Sequence, residues 1–298
     1  MTQARVGALD IEYELSGSSG PLVVLVMGLG QQLSSWPDPL VSGLVHAGFR
    51  VLRFDNRDTG YSSKIEGRRH TSVPQAFLRH RMGWSIQAPY DLEDMATDAF
   101  GLVDLLGEER FHVVGVSMGG MIAQIMASRR PDRVLTLTSI MSTSGERHLP
   151  AASPRALALL ASRPAAKDRD ARIAFGVKAK RILAGPAFPT SEEEMERATA
   201  RNVDRMWYPP GYARHTLAVL ASPDRAERLR VLDVPTLVYH GRADPLVPVG
   251  HGERVAELVP GAKLRVVAGW GHDLPPGMVP ILVDAVAEHA GQRMARVS

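Results

Sequence analysis

The run Leu22-Val23-Val24-Leu25-Val26-Met27 narrows the choice of fold more than any other stretch of the chain. Its six apolar residues show no polar alternation. A strand with one wet face alternates, so an unbroken run of this length predicts a strand covered on both faces, as in a parallel sheet. Further short β-rich runs, with some polar residues among them, lie at Arg50–Phe54, Phe111–Val116, Val134–Met141, Pro235–His240 and Lys263–Val267. Helical patterns separate them. One lies around Leu40–Ala47, one starts at Met118 as an amphipathic helix, and one spans Met278–Ala290. In another, Leu92, Met95, Ala96, Ala99, Leu102, Val103 and Leu106 share one face at spacings of three and four. Strand–helix–strand repetition predicts an α/β fold, a doubly wound sheet with helices on both faces. Ala4–Val6 and Ile11–Leu15 are expected to add an antiparallel hairpin at its edge.

The pattern lapses between residues 144 and 230, where no buried strand is evident and helical stretches are broken at Pro150, Pro154, Pro164, Pro186, Pro189, Pro209, Pro210 and Pro223. The simplest division is a core of residues 1–143 and 231–298 carrying a helical insertion of residues 144–230. The insertion has sixteen Lys/Arg against ten Asp/Glu, which leaves the rest of the chain at −3 within a total of +3. A basic roof attracts an anionic substrate. Dispersed charges on solvated helix faces do little, and that is the plainer reading.

Several functions are excluded early. With no cysteine there is no disulfide framework, thiol nucleophile, Cys-ligated zinc or iron–sulfur cluster. A net charge of +3 without a basic tail gives no sign of a nucleic-acid partner. No apolar run approaches the roughly 20 residues of a membrane helix, and the N-terminus lacks a signal-peptide core. A cytoplasmic enzyme, without a membrane partner, is the expectation. Gly28-Leu29-Gly30 hints at a dinucleotide loop, but Leu33 stands where the third glycine would be needed.

The chemistry starts at Gly115-Val116-Ser117-Met118-Gly119, a G-x-S-x-G with a buried strand before it and a helix after it. A serine at so sharp a turn has strained backbone angles, and glycines on either side let the chain pass. Its hydroxyl is lifted toward a helix N-terminus, where free N–H groups favour a developing oxyanion.

With these residues the chain resembles the α/β-hydrolase family over essentially its whole length. The family order of nucleophile, acid and histidine implies a mostly parallel eight-stranded sheet with a cap inserted after the sixth strand. His240-Gly241-Arg242-Ala243-Asp244-Pro245-Leu246-Val247-Pro248 is similar to the turn carrying the acid, which makes Asp244 the candidate. An Asp-Pro pair is also a common turn former. Asp233 precedes its strand, on the wrong edge of the sheet. His272 follows the last strand in Gly269-Trp270-Gly271-His272, the position of the family's histidine. Imidazole, with a pKa near 6.5, can take the serine proton and return it. His240 is read as structural, Asp273 as too close in sequence to orient His272, and His215 as lacking comparable context. By position, the resemblance assigns the two oxyanion donors to the backbone N–H groups of Leu29 and Met118. Met27 stands where many members have histidine, and Asp58 replaces a usual glycine in Asp55-Asn56-Arg57-Asp58-Thr59-Gly60. Asp55 and Arg57 are expected to pin loops near the site. The Met-Gly loop and the Asp-x-Arg-Asp-Thr-Gly segment most resemble the aclacinomycin methylesterase group.

What this implies is a serine hydrolase of a small-molecule carboxylic ester, working through an acyl-enzyme on Ser117, with His272 and Asp244, and needing no metal or organic cofactor. A C–C hydrolase, thioesterase, lactonase or cofactor-free perhydrolase would use the same triad, and a non-catalytic ligand-binding member is a third possibility. Trp207, Tyr208 and Tyr212 are candidates for lining the substrate pocket beneath the insertion.

Overall fold

The structure is a computed structural model and describes residues 2–67, 70–161 and 168–291. The break expected at Pro164 lies outside them. Eight strands, β1 (Thr2–Val6), β2 (Leu9–Ser16), β3 (Leu22–Val26), β4 (Arg50–Phe54), β5 (Phe111–Val116), β6 (Val134–Ile140), β7 (Thr236–Gly241) and β8 (Lys263–Val267), form one sheet in the order β1-β2-β4-β3-β5-β6-β7-β8. The β1–β2 and β2–β4 pairings are antiparallel and the rest are parallel. The core helices are α1 (Asp38–His46), α2 (Val73–Met82), α3 (Leu92–Leu105) and α4 (Met118–Arg129). Between β6 and β7 come α5 (Pro154–Ala161), α6 (Arg169–Leu183), α7 (Glu192–Arg205), α8 (Pro209–Ala221) and α9 (Ala226–Arg230). The chain closes with α10 (Gly250–Leu258) and α11 (Val279–His289). No described helix is long and apolar enough to cross a membrane.

The continuous apolar character of β3 has a direct cause. Leu22, Val24 and Val26 join the core layer containing α3 and α4, while Val23 and Leu25 join the opposite layer with α1 and α11. All five are fully buried. At about 1.5–3 kcal/mol per large apolar side chain, β3 is a principal source of the sheet's stability. α3 buries the face expected of it and is capped by Asp91, whose carboxylate accepts from the Glu93 and Asp94 N–H groups.

Two expectations are corrected, and one helix is new. α4 is not amphipathic but buried from Met118 through Ala127, because the sheet, α3 and α9 enclose it. Pro154, Pro209 and Pro210 open helices rather than break them, at positions where a missing N–H costs nothing. α2 went unforeseen because it buries only Ala76 and so shows no apolar stripe.

β3 and β5 sit side by side, yet the chain leaves β3 for β4 on one side and reaches β5 on the other. Such a switch point opens a crevice at the carboxyl ends of the strands. The register Val26↔Gly115 sets the loop after β3 beside the turn after β5. That approach depends on missing side chains. A Cβ on Gly119 would stand 2.0 Å from the Val26 carbonyl oxygen, and one on Gly115 would stand 2.2 Å from that of Gly119.

Gly119→Ala should therefore push α4 off β3 and cost about 3 kcal/mol, the upper end of ordinary overpacking. Urea titration should show a clearly lower midpoint than wild type. An unchanged midpoint would mean that α4 does not depend on this contact.

Candidate active site

Ser117 sits between β5 and α4 with φ 56° and ψ −119°, a left-handed backbone that only a constrained turn imposes on serine. β6 supplies the constraint. The Ser117 N–H donates to the Ile140 carbonyl at 2.9 Å, and the Ser142 hydroxyl donates to the Ser117 carbonyl at 2.8 Å. The hydroxyl is thus presented at the helix N-terminus while its backbone is fixed.

Asp244 lies just beyond β7, where its carboxylate both holds its own turn and meets His272. Its Oδ1 accepts from the Leu246 and Val247 N–H groups, each at 2.8 Å, and its Oδ2 lies 2.7 Å from His272 Nδ1. His272 Nε2 then lies 3.0 Å from Ser117 Oγ. The carboxylate fixes the tautomer, with the proton on Nδ1 and Nε2 free to accept from serine. The acid loop and the histidine loop are joined, since the Ala243 N–H donates to the Trp270 carbonyl at 3.0 Å. His240 is buried at the strand end with Nε2 2.7 Å from the Val247 carbonyl, and burial lowers its pKa. Its place is structural, as read.

Gly28 borders the serine, for a Cβ there would be 3.4 Å from Ser117 Cβ. The Leu29 and Met118 N–H groups, expected to form the oxyanion hole, find no acceptor among the described residues. Asp55 and Arg57 do pin loops. Asp55 accepts from the Leu33 N–H at 2.7 Å and the Tyr61 N–H at 3.0 Å, and Arg57 grips Asp98 of α3 with two bonds of 2.6 and 2.7 Å.

The helices between β6 and β7 reach this site directly. The His272 N–H donates to the Leu183 carbonyl at 2.7 Å, and the Ala187 N–H to the Gly269 carbonyl at 3.0 Å. Of the three aromatics singled out, Tyr212 packs on the loop after β3, so tightly that a Cβ on Gly30 would be 2.6 Å from its ring. Cations lie over the rings of the other two. Trp207 lies under the Arg172 guanidinium, and Tyr208 accepts a hydrogen bond from Arg214 with Lys64 over its ring. Sequence reasoning passed over His215, which bonds to Gly30 from α8. The available signal was its spacing of three residues from Tyr212, which puts both on one helix face. Among the described residues no group of three His, Asp or Glu side chains could hold a metal ion.

Asp273 neighbours His272 but does not orient it. Burial pushes its carboxyl up to about 6, against the opposing pull of His272 and Lys180 and with Asp244 adding to the rise. Its Oδ1 is buried without a partner. A raised carboxyl pKa means that the folded state keeps a proton that the unfolded chain has lost. The associated stability is present below about pH 4 and is lost as pH rises through about 6. Asp273→Asn should consequently raise the thermal midpoint at pH 8 by about 2–4 °C, the shift that 1 kcal/mol gives in a chain of this class. The gain should vanish near pH 4, and equal midpoints at both pH values would contradict the assignment.

Comparison with known proteins places this geometry in context. A family model described as alpha/beta hydrolase fold matches residues 21–275. A rhodomycin D methylesterase (DauP) of Streptomyces sp. strain C5 is 28% identical, with 90% of each chain covered. A 2-hydroxy-6-oxononadienedioate/2-hydroxy-6-oxononatrienedioate hydrolase of Pseudomonas putida is 27% identical over 90% of this chain and 87% of its own. Among solved structures, a meta-cleavage product hydrolase (CumD) from Pseudomonas fluorescens IP01 superposes with a TM-score of 0.76 at 20% identity, covering 98% of this chain and 97% of that one. At that identity the likeness is one of fold.

Proposed function

The chain belongs to the α/β-hydrolase fold family, and from that premise we propose that it is a serine esterase acting through an acyl-enzyme on Ser117. One observation carries the reading: the unbroken chain from Ser117 Oγ to His272 Nε2 at 3.0 Å and from His272 Nδ1 to Asp244 at 2.7 Å. His272 takes the serine proton as Oγ attacks the ester carbonyl carbon. The Leu29 and Met118 N–H groups receive the oxyanion. The tetrahedral adduct collapses, the C–O bond to the alcohol breaks, and His272 returns the proton to the departing oxygen. Water, deprotonated by His272, then attacks the acyl-enzyme and releases the acid. Asp244 stays ionised and holds the imidazolium that forms in each half.

The substrate we assign is an ester of an apolar acid with a small alcohol. The methylesterase relative supports the small alcohol. Residues 144–230 act as a cap over the core of residues 1–143 and 231–298, with Tyr212 as part of the acyl wall. The bonds that the His272 N–H donates to the Leu183 carbonyl and the Gly30 N–H donates to His215 Nδ1 support that role. A second reading keeps the triad but cleaves a carbon–carbon bond, and the relative named for oxo-dienedioate hydrolysis favours it.

Ser117→Ala and His272→Ala should each lower kcat by about 10⁵- to 10⁶-fold, as in triads whose members act as a unit. Asp244→Asn should lose about 10⁴-fold through the wrong histidine tautomer. Activity within tenfold of wild type in any of the three, on a p-nitrophenyl ester, would overturn the assignment.

A second test varies the acyl group. Each well-placed methylene contributes about 0.8 kcal/mol, so kcat/KM should climb about threefold to fourfold per carbon from p-nitrophenyl acetate to an optimum at short or medium length. It should then fall, and emulsified triolein should be a poor substrate. A flat series would mean that the cap does not form the acyl pocket. Turnover of an oxo-dienedioate with no ester cleavage would select the carbon–carbon reading.

A further inference from the structure

The Leu29 N–H can serve as an oxyanion donor only if its peptide plane is held in one direction. Two bonds fix the loop here, one on that plane and one on the next. The Gly28 carbonyl accepts from the Gln31 N–H at 3.2 Å. In a trans peptide the Leu29 N–H points opposite to the Gly28 carbonyl, so this turn bond aims the donor. The next plane is held differently. The Gly30 N–H donates to His215 Nδ1 at 3.0 Å, across 185 positions of sequence. Gly30 has φ +67°, and its Cα lies against the Tyr212 ring, so the loop is gripped on two sides by α8. Met27, just before the loop, is a buried apolar side chain of the core layer around α1 and α11.

The partners of His215 settle its tautomer. Nε2 lies 2.7 Å from the Arg57 carbonyl, which can only accept, so Nε2 carries the proton. Nδ1 is then an acceptor and can take the Gly30 N–H. His215 is fully buried, and burial lowers its pKa to about 4, which keeps the ring neutral. One ring therefore joins three chain segments: the loop after β3, the loop after β4 and helix α8.

We propose that His215 is a positioning residue for the oxyanion hole, holding the Leu29 N–H in its donating direction from the inserted helix α8. The proposal rests on the esterase reading of Ser117. It makes the oxyanion hole a composite, with the donors contributed by the core and the brace by the insertion. It also identifies which side chain in the insertion bears on the rate rather than only on the choice of acyl group. Tyr212, three residues earlier, shapes the same loop from its apolar side.

The test compares wild type, His215→Leu and His215→Asn on a soluble p-nitrophenyl ester and against an aryl trifluoromethyl ketone. Serine adds to the ketone to give a tetrahedral oxyanion, so its affinity reads the hole directly. Deleting one donor outright costs about 10²- to 10³-fold in kcat, and loosening one should cost less. His215→Leu should lose about 10- to 100-fold in kcat with KM changed less than threefold, and should lose ketone affinity in parallel. His215→Asn keeps an oxygen that can accept from Gly30, and should recover most of both losses. Thermal midpoints of all three separate a loss of fold from a loss of positioning. His215→Leu with kcat and ketone affinity within threefold of wild type overturns the proposal. So does equal impairment of the two variants, which would mark His215 as packing alone. If His215→Leu does not fold, His215→Asn decides, and a loss of ketone affinity beyond 30-fold overturns the proposal. Wild type without Ser117-dependent hydrolysis would sink the esterase reading itself, a result distinct from an active wild type indifferent to His215.

Discussion

The contact between Gly119 and the Val26 carbonyl governs the rest of the site. It brings the first turn of α4 against the end of β3, at the one place where the sheet's connections diverge. Any side chain there would hold the helix away. Because the gap is closed, Ser117 is forced into a left-handed backbone and the loop after β3 lies along its side chain. The backbone of Ser117 and the approach of the loop after β3 are thus set first by backbone packing. Asp244 and His272 then need only reach the same edge, which the strand order ensures by placing β7 and β8 in parallel beyond β6. A strained serine persists because the buried strands on both sides over-determine it.

Much of this is legible in the chain because the relevant signals are local. Leu22–Val26 is buried on both faces and reads as an unbroken apolar run, and the equally buried Phe111–Val116 departs from that pattern at His112 and Gly115. Ser117, Asp244 and His272 each follow a strand end within a few residues, so a motif plus a strand is enough to find them. What escapes is long-range or lacks periodicity. Nothing near His215 announces that its partner is Gly30. The carbonyl that receives the His272 N–H belongs to Leu183, and a carbonyl has no sequence signature. α4 was misread as amphipathic because its solvent side is taken by other helices, a fact of packing rather than of its own residues. Trp207 and Tyr208 each lie beneath an arginine, Arg172 and Arg214, pairings that the chain alone does not announce.

Asp58 shows how a departure from a familiar pattern can have a partner elsewhere. It has φ 67°, where glycine is the easy choice, and so carries a backbone cost. Its buried carboxylate takes two bonds from Arg214 on α8, at 2.8 and 2.7 Å, and one from the Ile65 N–H at 2.8 Å. Arg214 is one residue from His215, so the charged pair and the neutral ring dock the same turn of helix. Desolvating two charges offsets most of their attraction, so such a pair adds little net stability. Its effect is on register, because a shift of α8 by one residue would strand both ions in the interior.

The same reasoning accounts for the excess positive charge of the inserted segment. It need not be a field that draws in an anion, nor only the solvated face of helices. Arg201 pairs with Asp38, Arg205 with Asp55 and Arg214 with Asp58, at 2.9, 2.7 and 2.7 Å, and in each case the acid belongs to the core. Arg225, fully enclosed, donates to the Thr143 carbonyl and to the Gln124 side chain instead. Charges neutralised in this way project little potential into the crevice. These pairs tie α7 and α8 to the start of α1 and to the loop after β4. Around the serine stand the His272 imidazole and Gly28, and the Tyr212 ring packs on Gly30 of the same loop.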